Sequence, residues 1–155
     1  MTTDTVISTD KSKLDVGLIH DFLRHSYWAE DIPLAVVEKS IANSLCFGVY
    51  EGASQVGFAR VITDYATFGY VADVFIIPEK RKQGLGKKLM AYILDFPALQ
   101  GLRRWHLLTL DAQNLYRQIG FVTPSNPEHH REIRKPGLHK SEGYSKKYQT
   151  PTAPY

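Results

Sequence analysis

An apolar segment, a basic turn with two glycines and an amphipathic segment follow one another between residues 70 and 96. Residues 70–77 are rich in β-branched and aromatic side chains, which predicts a buried strand that stops at Pro78. After the turn, apolar residues recur at helical spacing through residues 85–96, until Pro97 ends the pattern. A buried strand that leads through a short turn into a helix is typical of α/β folds, so this unit constrains the fold class.

The turn itself has the chemistry of an anion site. Gly84 and Gly86 lack a Cβ atom, so a ligand can approach their backbone closely. They lie where the predicted helix begins, and the first N–H groups of a helix have no partner within it. These groups and the helix dipole favour a bound phosphate. Five cations of the turn add positive charge, namely Lys80, Arg81, Lys82, Lys87 and Lys88.

Two common phosphate-binding motifs do not fit this turn. The dinucleotide fingerprint requires a third glycine at position 89, where the chain has Leu89. The P-loop requires glycine at position 81 and Ser or Thr at position 88, where the chain has Arg81 and Lys88. The pattern that remains is R-x-x-G-x-G over residues 81–86.

Further strands and helices are predicted around this unit. The strands are expected at residues 6–7, 45–50, 55–63, 67–77 and 105–110, with another beginning at 121–122. The helices are expected at residues 13–25, from 34 to about 41, at 86–96 and at 112–119, the last capped by Asp111. The links between the three strands from 45 to 77 are too short for crossovers and predict an antiparallel meander. The class is therefore α/β, with a mixed sheet and helices packed against it.

Length, charge and cysteine content limit the possible functions. The 155 residues suit one domain, and a formal net charge of +3 is too small to indicate nucleic-acid binding. Cys46 is the only cysteine, so no internal disulfide can form and a cytoplasmic location is expected. We find neither a signal-peptide core nor an apolar run of about 20 residues, so no membrane association is expected. Prolines and histidines after residue 122 predict an irregular C-terminal segment over 123–155.

A second motif follows the predicted strand at 105–110. Residues 111–121 read DAQNLYRQIGF, which resembles the N-x-x-x-x-x-Y-x-x-x-G-F region of the GNAT superfamily of acyl-CoA-dependent N-acyltransferases. The R-x-x-G-x-G turn is similar to the segment with which that family cradles the pyrophosphate of coenzyme A. The resemblance covers residues 45–122, with both motifs in the family's order.

The resemblance implies a single domain over residues 1–155, with core motifs at 45–122 and a mixed central β-sheet flanked by helices on both faces. It also implies transfer of an acetyl group from acetyl-CoA to a primary amine through a ternary complex, without a metal. The residues expected to bind the cosubstrate are Phe75, Ile76, Ile77, Arg81, Lys82, Gln83, Gly84, Leu85, Gly86, Lys87, Asn114 and Tyr116.

The implied reaction needs a proton donor, an oxyanion donor and a base. Tyr116 is expected to protonate the departing thiolate, because a phenol is protonated at neutral pH. A backbone N–H of Val74, Phe75 or Ile76 is expected to hold the oxyanion, freed by a β-bulge. Asp73 is the candidate base, since a carboxylate in an apolar strand is either paired or has a raised pKa. Arg60 is expected to pair with an acidic group. An ordered water chain or His106 are the alternatives.

The acceptor site is expected between the first two helices, the turn at 64–66 and the C-terminal segment. Aromatic residues beside carboxylates suit a cationic amine. The expected acceptor-binding residues are Tyr27, Trp28, Glu30 and Tyr65. His129 and His130 lack a third ligand at metal spacing, so no metal site is expected.

Other functions stay open. A protein or peptide amine is the alternative acceptor, and a catalytically silent acyl-CoA-binding module is the alternative to an enzyme. A nucleic-acid-binding domain that uses residues 80–88 ranks last, because no aromatic residues are interleaved with those cations. The protein is expected to be a monomer or a homodimer.

Overall fold

The central sheet has five strands, and the computed structural model describes residues 4–140 of the chain. The strands are β1 (Thr5–Ser8), β2 (Leu45–Glu51), β3 (Ser54–Thr63), β4 (Phe68–Ile76) and β5 (Arg104–Leu107). The α-helices of the described residues are α1 (Val16–Arg24), α2 (Leu34–Ala42), α3 (Leu85–Leu94) and α4 (Gln113–Gln118). The strands lie in chain order, antiparallel from β1 to β4, and β5 is parallel to β4.

Connection length explains this mixed topology. Short turns join β2 to β3 and β3 to β4, which permits only antiparallel pairing, so the predicted meander is confirmed. A parallel neighbour needs a longer crossover, and α3 provides it between β4 and β5.

Helices cover both faces of the sheet, as the sequence predicts. On one face, α1 and α2 bury Ile19 and Val37 against Phe58 of the sheet. On the other face, α3 buries Leu89 and Ile93 in a cluster with sheet residues that include Val71, while α4 packs beside it through partly buried side chains. The helical spacing in α3 thus produces a continuous apolar face, and the α/β fold class is confirmed.

A bulge interrupts β4 at Asp73. Phe58 of β3 pairs with Phe75, whereas Arg60 pairs with Ala72, so β4 has one more residue than β3 in this interval. Asp73 has a left-handed backbone with φ of 53°. The ladder between β4 and β5 ends at Val71 and Leu107, just before the bulge. The expected bulge is therefore present at Asp73 and Val74, and it overlaps the start of the Val74 to Ile76 stretch expected to supply the oxyanion donor.

The first helix is shorter than the predicted 13–25. Asp15 caps α1 by accepting a hydrogen bond from the N–H of Leu18 at 3.0 Å, so the helix begins at Val16. The preceding residues Lys11–Lys13 form a separate 3₁₀ turn. The prediction missed the boundary because helical apolar spacing continues through it.

Three expectations for the second half are wrong in detail. β5 ends at Leu107, where its pairing with β4 stops, and Leu108 and Leu110 beyond it are exposed. Phe121 and Val122 do not form a strand, and the N-cap of α4 is Ala112, not Asp111. Residues 123–140 are irregular apart from 3₁₀ turns at Pro127–His129 and Leu138–Lys140. The remainder of the predicted irregular segment, 141–155, lies outside the described residues.

No helix within residues 4–140 is long and apolar enough to cross a bilayer.

Candidate active site

The turn before α3 presents an open cradle of backbone N–H groups. Lys82 and Gly84 both have left-handed backbones, with φ of 62° and 78°. Among the residues that the structure describes, no partner accepts a hydrogen bond from the N–H groups of Lys82, Gln83 or Gly84. A Cβ atom at Gly84 would meet nothing within 4 Å, and one at Gly86 would meet only Ile76 Cγ1 at 4.0 Å. Unpaired donors, open space and a helix N-terminus fit a pyrophosphate.

Two cations of the turn serve other contacts. The Nζ atom of Lys80 lies 2.7 Å from Oε2 of Glu51 at the end of β2. The Nζ atom of Lys88 donates a hydrogen bond of 3.3 Å to the carbonyl oxygen of Thr5 in β1. These lysines connect the turn to β2 and α3 to the edge strand β1.

The other three cations of the turn differ in whether their side chains already have a partner. Nε of Arg81 donates to the carbonyl oxygen of Ile76 at 3.0 Å, and its guanidinium carbon lies 6.0 Å from the centre of the Phe22 ring. This holds Arg81 at the end of β4 with its other N–H groups unbonded. Lys82 and Lys87 have no side-chain partner among residues 4–140 and are the cations most available to a ligand.

The Asp73 carboxylate makes an ion pair with Arg60 of β3 and a hydrogen bond with Trp28 of the segment between α1 and α2. Its Oδ2 accepts a hydrogen bond from Nε of Arg60 at 2.8 Å, and its Oδ1 accepts one from Nε1 of Trp28 at 3.0 Å. Nη1 of Arg60 also donates to Oγ of Ser44 at 3.1 Å. The side chains of Asp73 and Arg60 are only 10% and 15% exposed. The pairing of Arg60 with an acidic group is confirmed.

Tyr116 projects from α4 and is partly buried. Its ring makes an edge contact with Phe121, with ring centres 5.9 Å apart. Burial raises the pKa of the Tyr116 hydroxyl above its ordinary value, and Tyr27 and Asp111 raise it further. The phenol therefore stays protonated at neutral pH and can donate a proton. Asn114, two residues earlier in the chain, is exposed and has no side-chain partner among the described residues.

A groove of about 720 Å³ runs beside the first half of β4. Its lining comes from β4, from β5 and from the segment after α4, and consists of Phe68, Tyr70, Arg104, His106, Leu108, Pro124, Pro127, His130, Arg131 and Glu132. The rings of Tyr70, His106 and His130 form a stack, with successive centres 5.7 and 5.6 Å apart. Burial lowers the pKa of His106, and His130 and Arg104 lower it further. His106 is therefore neutral at pH 7.

The structure brings together only part of the predicted acceptor site. Trp28 reaches Asp73, and the ring of Tyr27 packs edge-on against Trp28 at 5.1 Å. Glu30 is exposed and forms an ion pair with Lys140, with 3.0 Å between Oε2 and Nζ. Tyr65 lies at the tip of the hairpin between β3 and β4, is exposed, and does not belong to the groove lining.

Arg104 and Arg131 are lining residues that sequence reasoning missed. Arg104 precedes His106 by two residues in β5, so the alternation of a strand already places both side chains on one face. No local signal identifies Arg131, because its position depends on the path of an irregular segment. Among residues 4–140, no group of three or more His, Cys, Asp or Glu side chains is placed to hold a metal ion.

Comparison with known proteins agrees with this geometry. Residues 42–123 match the family model of the acetyltransferase (GNAT) domain. The crystal structure of a GNAT-family protein from Xanthomonas campestris pv. campestris superposes with a TM-score of 0.87 at 48% identity, covering 91% of this chain and 100% of that one. A Gibberella zeae protein with an acetyltransferase name is 35% identical over 136 residues, 73% of this chain and 76% of its own. The Escherichia coli peptidyl-lysine N-acetyltransferase YiaC is 28% identical over 108 residues, 66% of each chain.

The matched domain spans both the glycine turn and the Tyr116 helix. The chain therefore belongs to the GNAT family of acetyltransferases, whose acyl donor is acetyl-CoA, and it is an acyltransferase.

Proposed function

We propose that the protein transfers the acetyl group of acetyl-CoA to the primary amine of a small molecule, by direct attack within a ternary complex. The observation that carries this proposal is the placement of two sites along one strand. The open N–H cradle lies beyond the C-terminal end of β4, and the 720 Å³ groove lies beside its N-terminal half. Asp73 and its bulge lie between them.

The donor side would hold coenzyme A through backbone and cationic groups. In this proposal the N–H groups of residues 82–87 and the free N–H groups of Arg81 bind the pyrophosphate. Lys82 and Lys87 add positive charge from both sides of the turn. Phe75, Ile76 and Ile77 would line the path of the acyl-carrying arm, and Asn114 would contact it from α4.

The groups for chemistry surround the bulge. Bound acetyl-CoA supplies the thioester carbonyl that an amine attacks. Because the β4–β5 ladder ends at Val71, backbone N–H groups of residues 74–76 that face away from β3 are available to a developing oxyanion. We assign the Tyr116 hydroxyl to proton donation at the leaving sulfur, which its raised pKa supports.

A base must also accept a proton from the attacking amine, and we propose Asp73 for this step. Its Oδ1 and Oδ2 each accept one hydrogen bond, and a carboxylate has further lone pairs for an amine or a bridging water. Arg60 and Trp28 would then orient the carboxylate. Tyr27 and Trp28 stay assigned to the acceptor. Acceptor contacts by Glu30 and Tyr65 stay predictions, and neither residue lines the groove.

A small acceptor is favoured over a peptide by the size of the groove. A volume of about 720 Å³ lies in the range of about 300–1,000 Å³ common for small-molecule sites. The peptidyl-lysine activity named for the Escherichia coli relative favours the second candidate, acetylation of a lysine in a protein. A lysine-containing peptide tested beside free amines separates the two candidates: turnover of free amines but not of the peptide would support the small acceptor, and the reverse would support the protein lysine.

Binding and turnover together test the proposed function. Acetyl-CoA and coenzyme A should each raise the unfolding temperature, and release of coenzyme A should then depend on an added primary amine. Stabilisation by ATP but by neither form of coenzyme A would overturn the proposal. Binding of acetyl-CoA without turnover on either free amines or peptides would instead favour a silent acyl-CoA-binding module. A cytoplasmic location and a monomeric or dimeric state stay predictions.

A further inference from the structure

The groove beside β4 carries an excess of positive charge. Two guanidinium groups, Arg104 and Arg131, and one carboxylate, Glu132, line it and leave a formal charge of +1. His106 adds no charge at neutral pH, since burial and its cationic neighbours lower its pKa. This environment differs from the predicted site, in which aromatic residues beside carboxylates suit a cationic amine.

Both arginines have side-chain N–H groups without a hydrogen-bond partner among the described residues. The side chain of Arg104 has no ion-pair or hydrogen-bond partner among residues 4–140. Nη1 of Arg131 donates to the carbonyl oxygens of Glu128 and His130, which holds the guanidinium against its own segment and leaves its other N–H groups unbonded. A guanidinium fork with free donors matches the two oxygens of a carboxylate.

The surface between the charged end and the bulge is aromatic. The stacked rings of Tyr70, His106 and His130 form this part of the lining. Tyr70 and His106 are partners in the β4–β5 ladder, one residue before its end, and Tyr70 precedes Asp73 by three residues. A short carbon chain on these rings would join an anionic end at the arginines to an amine near Asp73.

We propose that the acceptor is a small amine that also carries a carboxylate, which Arg104 binds with assistance from Arg131. This assignment rests on the proposed acetyltransfer to a small amine and names its substrate class. A monoanion balances the formal charge of +1, whereas a phosphate dianion would exceed it. A lysine side chain within a peptide has no carboxylate at this position and would leave the guanidinium groups unpaired.

Matched acceptors test the carboxylate directly. Turnover is measured with amino acids, including β-alanine, and with the corresponding carboxamides, which keep size and amine but lose the negative charge. The acids should have the higher kcat/KM, by about tenfold to a hundredfold, as expected for a hydrogen bond between charged groups. O-phosphoethanolamine carries a phosphate in place of the carboxylate, and it should be a poorer acceptor than β-alanine. Equal rates for acid and amide, or preference for the phosphate, would overturn the carboxylate assignment while leaving acetyltransfer intact.

Variants of neighbouring arginines locate the contact. Arg104→Gln should raise KM for the acid by about tenfold or more, leave KM for acetyl-CoA unchanged and abolish the preference over the amide. Arg104→Lys should restore part of the preference, because it restores the charge. Arg103→Gln is the matched control, since Arg103 is also exposed but does not line the groove. A preference that survives Arg104→Gln would place the carboxylate elsewhere and contradict the proposal.

A binding measurement keeps this test independent of turnover. In the presence of coenzyme A, β-alanine should raise the unfolding temperature of the wild-type protein more than β-alaninamide does, and Arg104→Gln should remove that difference. An equal effect of acid and amide on the wild-type protein would overturn the inference even if no acceptor is acetylated. Failure of coenzyme A itself to bind would instead count against the proposed function.

Discussion

Asp73 forms an ion pair with Arg60 across two antiparallel strands, although the residue opposite Arg60 in the ladder is Ala72. The bulge makes this possible, because the left-handed backbone at Asp73 turns the carboxylate out of the regular alternation. The same carboxylate reaches Trp28 in the segment between α1 and α2. Asp73 thus joins β3, β4 and the loop after α1 at the centre of the proposed site.

Asp73→Asn should destabilise the protein by about 3 kcal/mol, because it leaves the charge of Arg60 unpaired in a mostly buried position. Asparagine tolerates the left-handed backbone, so the variant should fold. Urea unfolding measures the stability, and kcat at a temperature where both proteins are folded measures the predicted role as base. That role predicts a fall in kcat of about 100-fold with unchanged affinity for coenzyme A.

Asp21→Asn is the matched control for this ion pair. Asp21 pairs with Arg24 on the surface of α1 at 3.2 Å, with both side chains about half exposed or more. Its loss should reduce the free energy of unfolding by less than about 1 kcal/mol. If Asp73→Asn were no more destabilising than Asp21→Asn, the buried pair would have no structural role.

Gly84→Glu should abolish binding of coenzyme A, since its side chain would occupy the cradle with a negative charge. Gly101→Glu provides the control, because Gly101 has a similar backbone, φ of 85° against 78°, and equally open surroundings. Both variants should lose about 1–2 kcal/mol of stability from the left-handed backbone. Calorimetric titration should find binding lost only in Gly84→Glu; retained binding would place the phosphate site elsewhere.

The lysines of the turn should fall into two classes. Lys82→Gln and Lys87→Gln should each weaken binding of coenzyme A several-fold, with a smaller dependence on salt, since both side chains are free in the described chain. Lys80→Gln and Lys88→Gln should leave affinity within about twofold, because these residues bind Glu51 and Thr5. Equal effects of all four substitutions would indicate that coenzyme A responds to the overall positive potential of the turn rather than to specific contacts with Lys82 and Lys87.

Tyr116→Phe should lower kcat by about 100-fold while affinity for coenzyme A stays the same. Because burial raises the pKa of Tyr116 above 10.0, loss of its proton should reduce wild-type activity only above pH 10. That decline should be missing from the pH profile of the variant. Tyr92→Phe, which changes an exposed tyrosine of α3, should behave as wild type. Unchanged turnover in Tyr116→Phe would exclude this residue as the acid.

Local patterns explain why the turn and the order of elements were predictable. The positive φ of Gly84 and the start of α3 follow from a few adjacent residues, as does the meander from its short links. The left-handed backbone of Asp73 follows from the register of β3 against β4, which apolar alternation alone does not specify. Arg104 and Arg131 meet at the groove through an irregular segment, so only the tertiary structure brings them together.

The left-handed backbone of Tyr65 offers a route to a more heat-resistant protein. A bulky residue in this conformation is strained by about 1–3 kcal/mol, and glycine or asparagine relieves much of that strain. Asp73 and Lys82 have the same backbone conformation. Their side chains have proposed roles, so a substitution that relieves backbone strain there would reduce activity. Tyr65 lies outside the groove, so Tyr65→Asn should raise the melting temperature by a few degrees. The kcat/KM of the same variant tests the predicted acceptor contact of Tyr65, so one substitution in the hairpin measures both backbone strain and substrate binding.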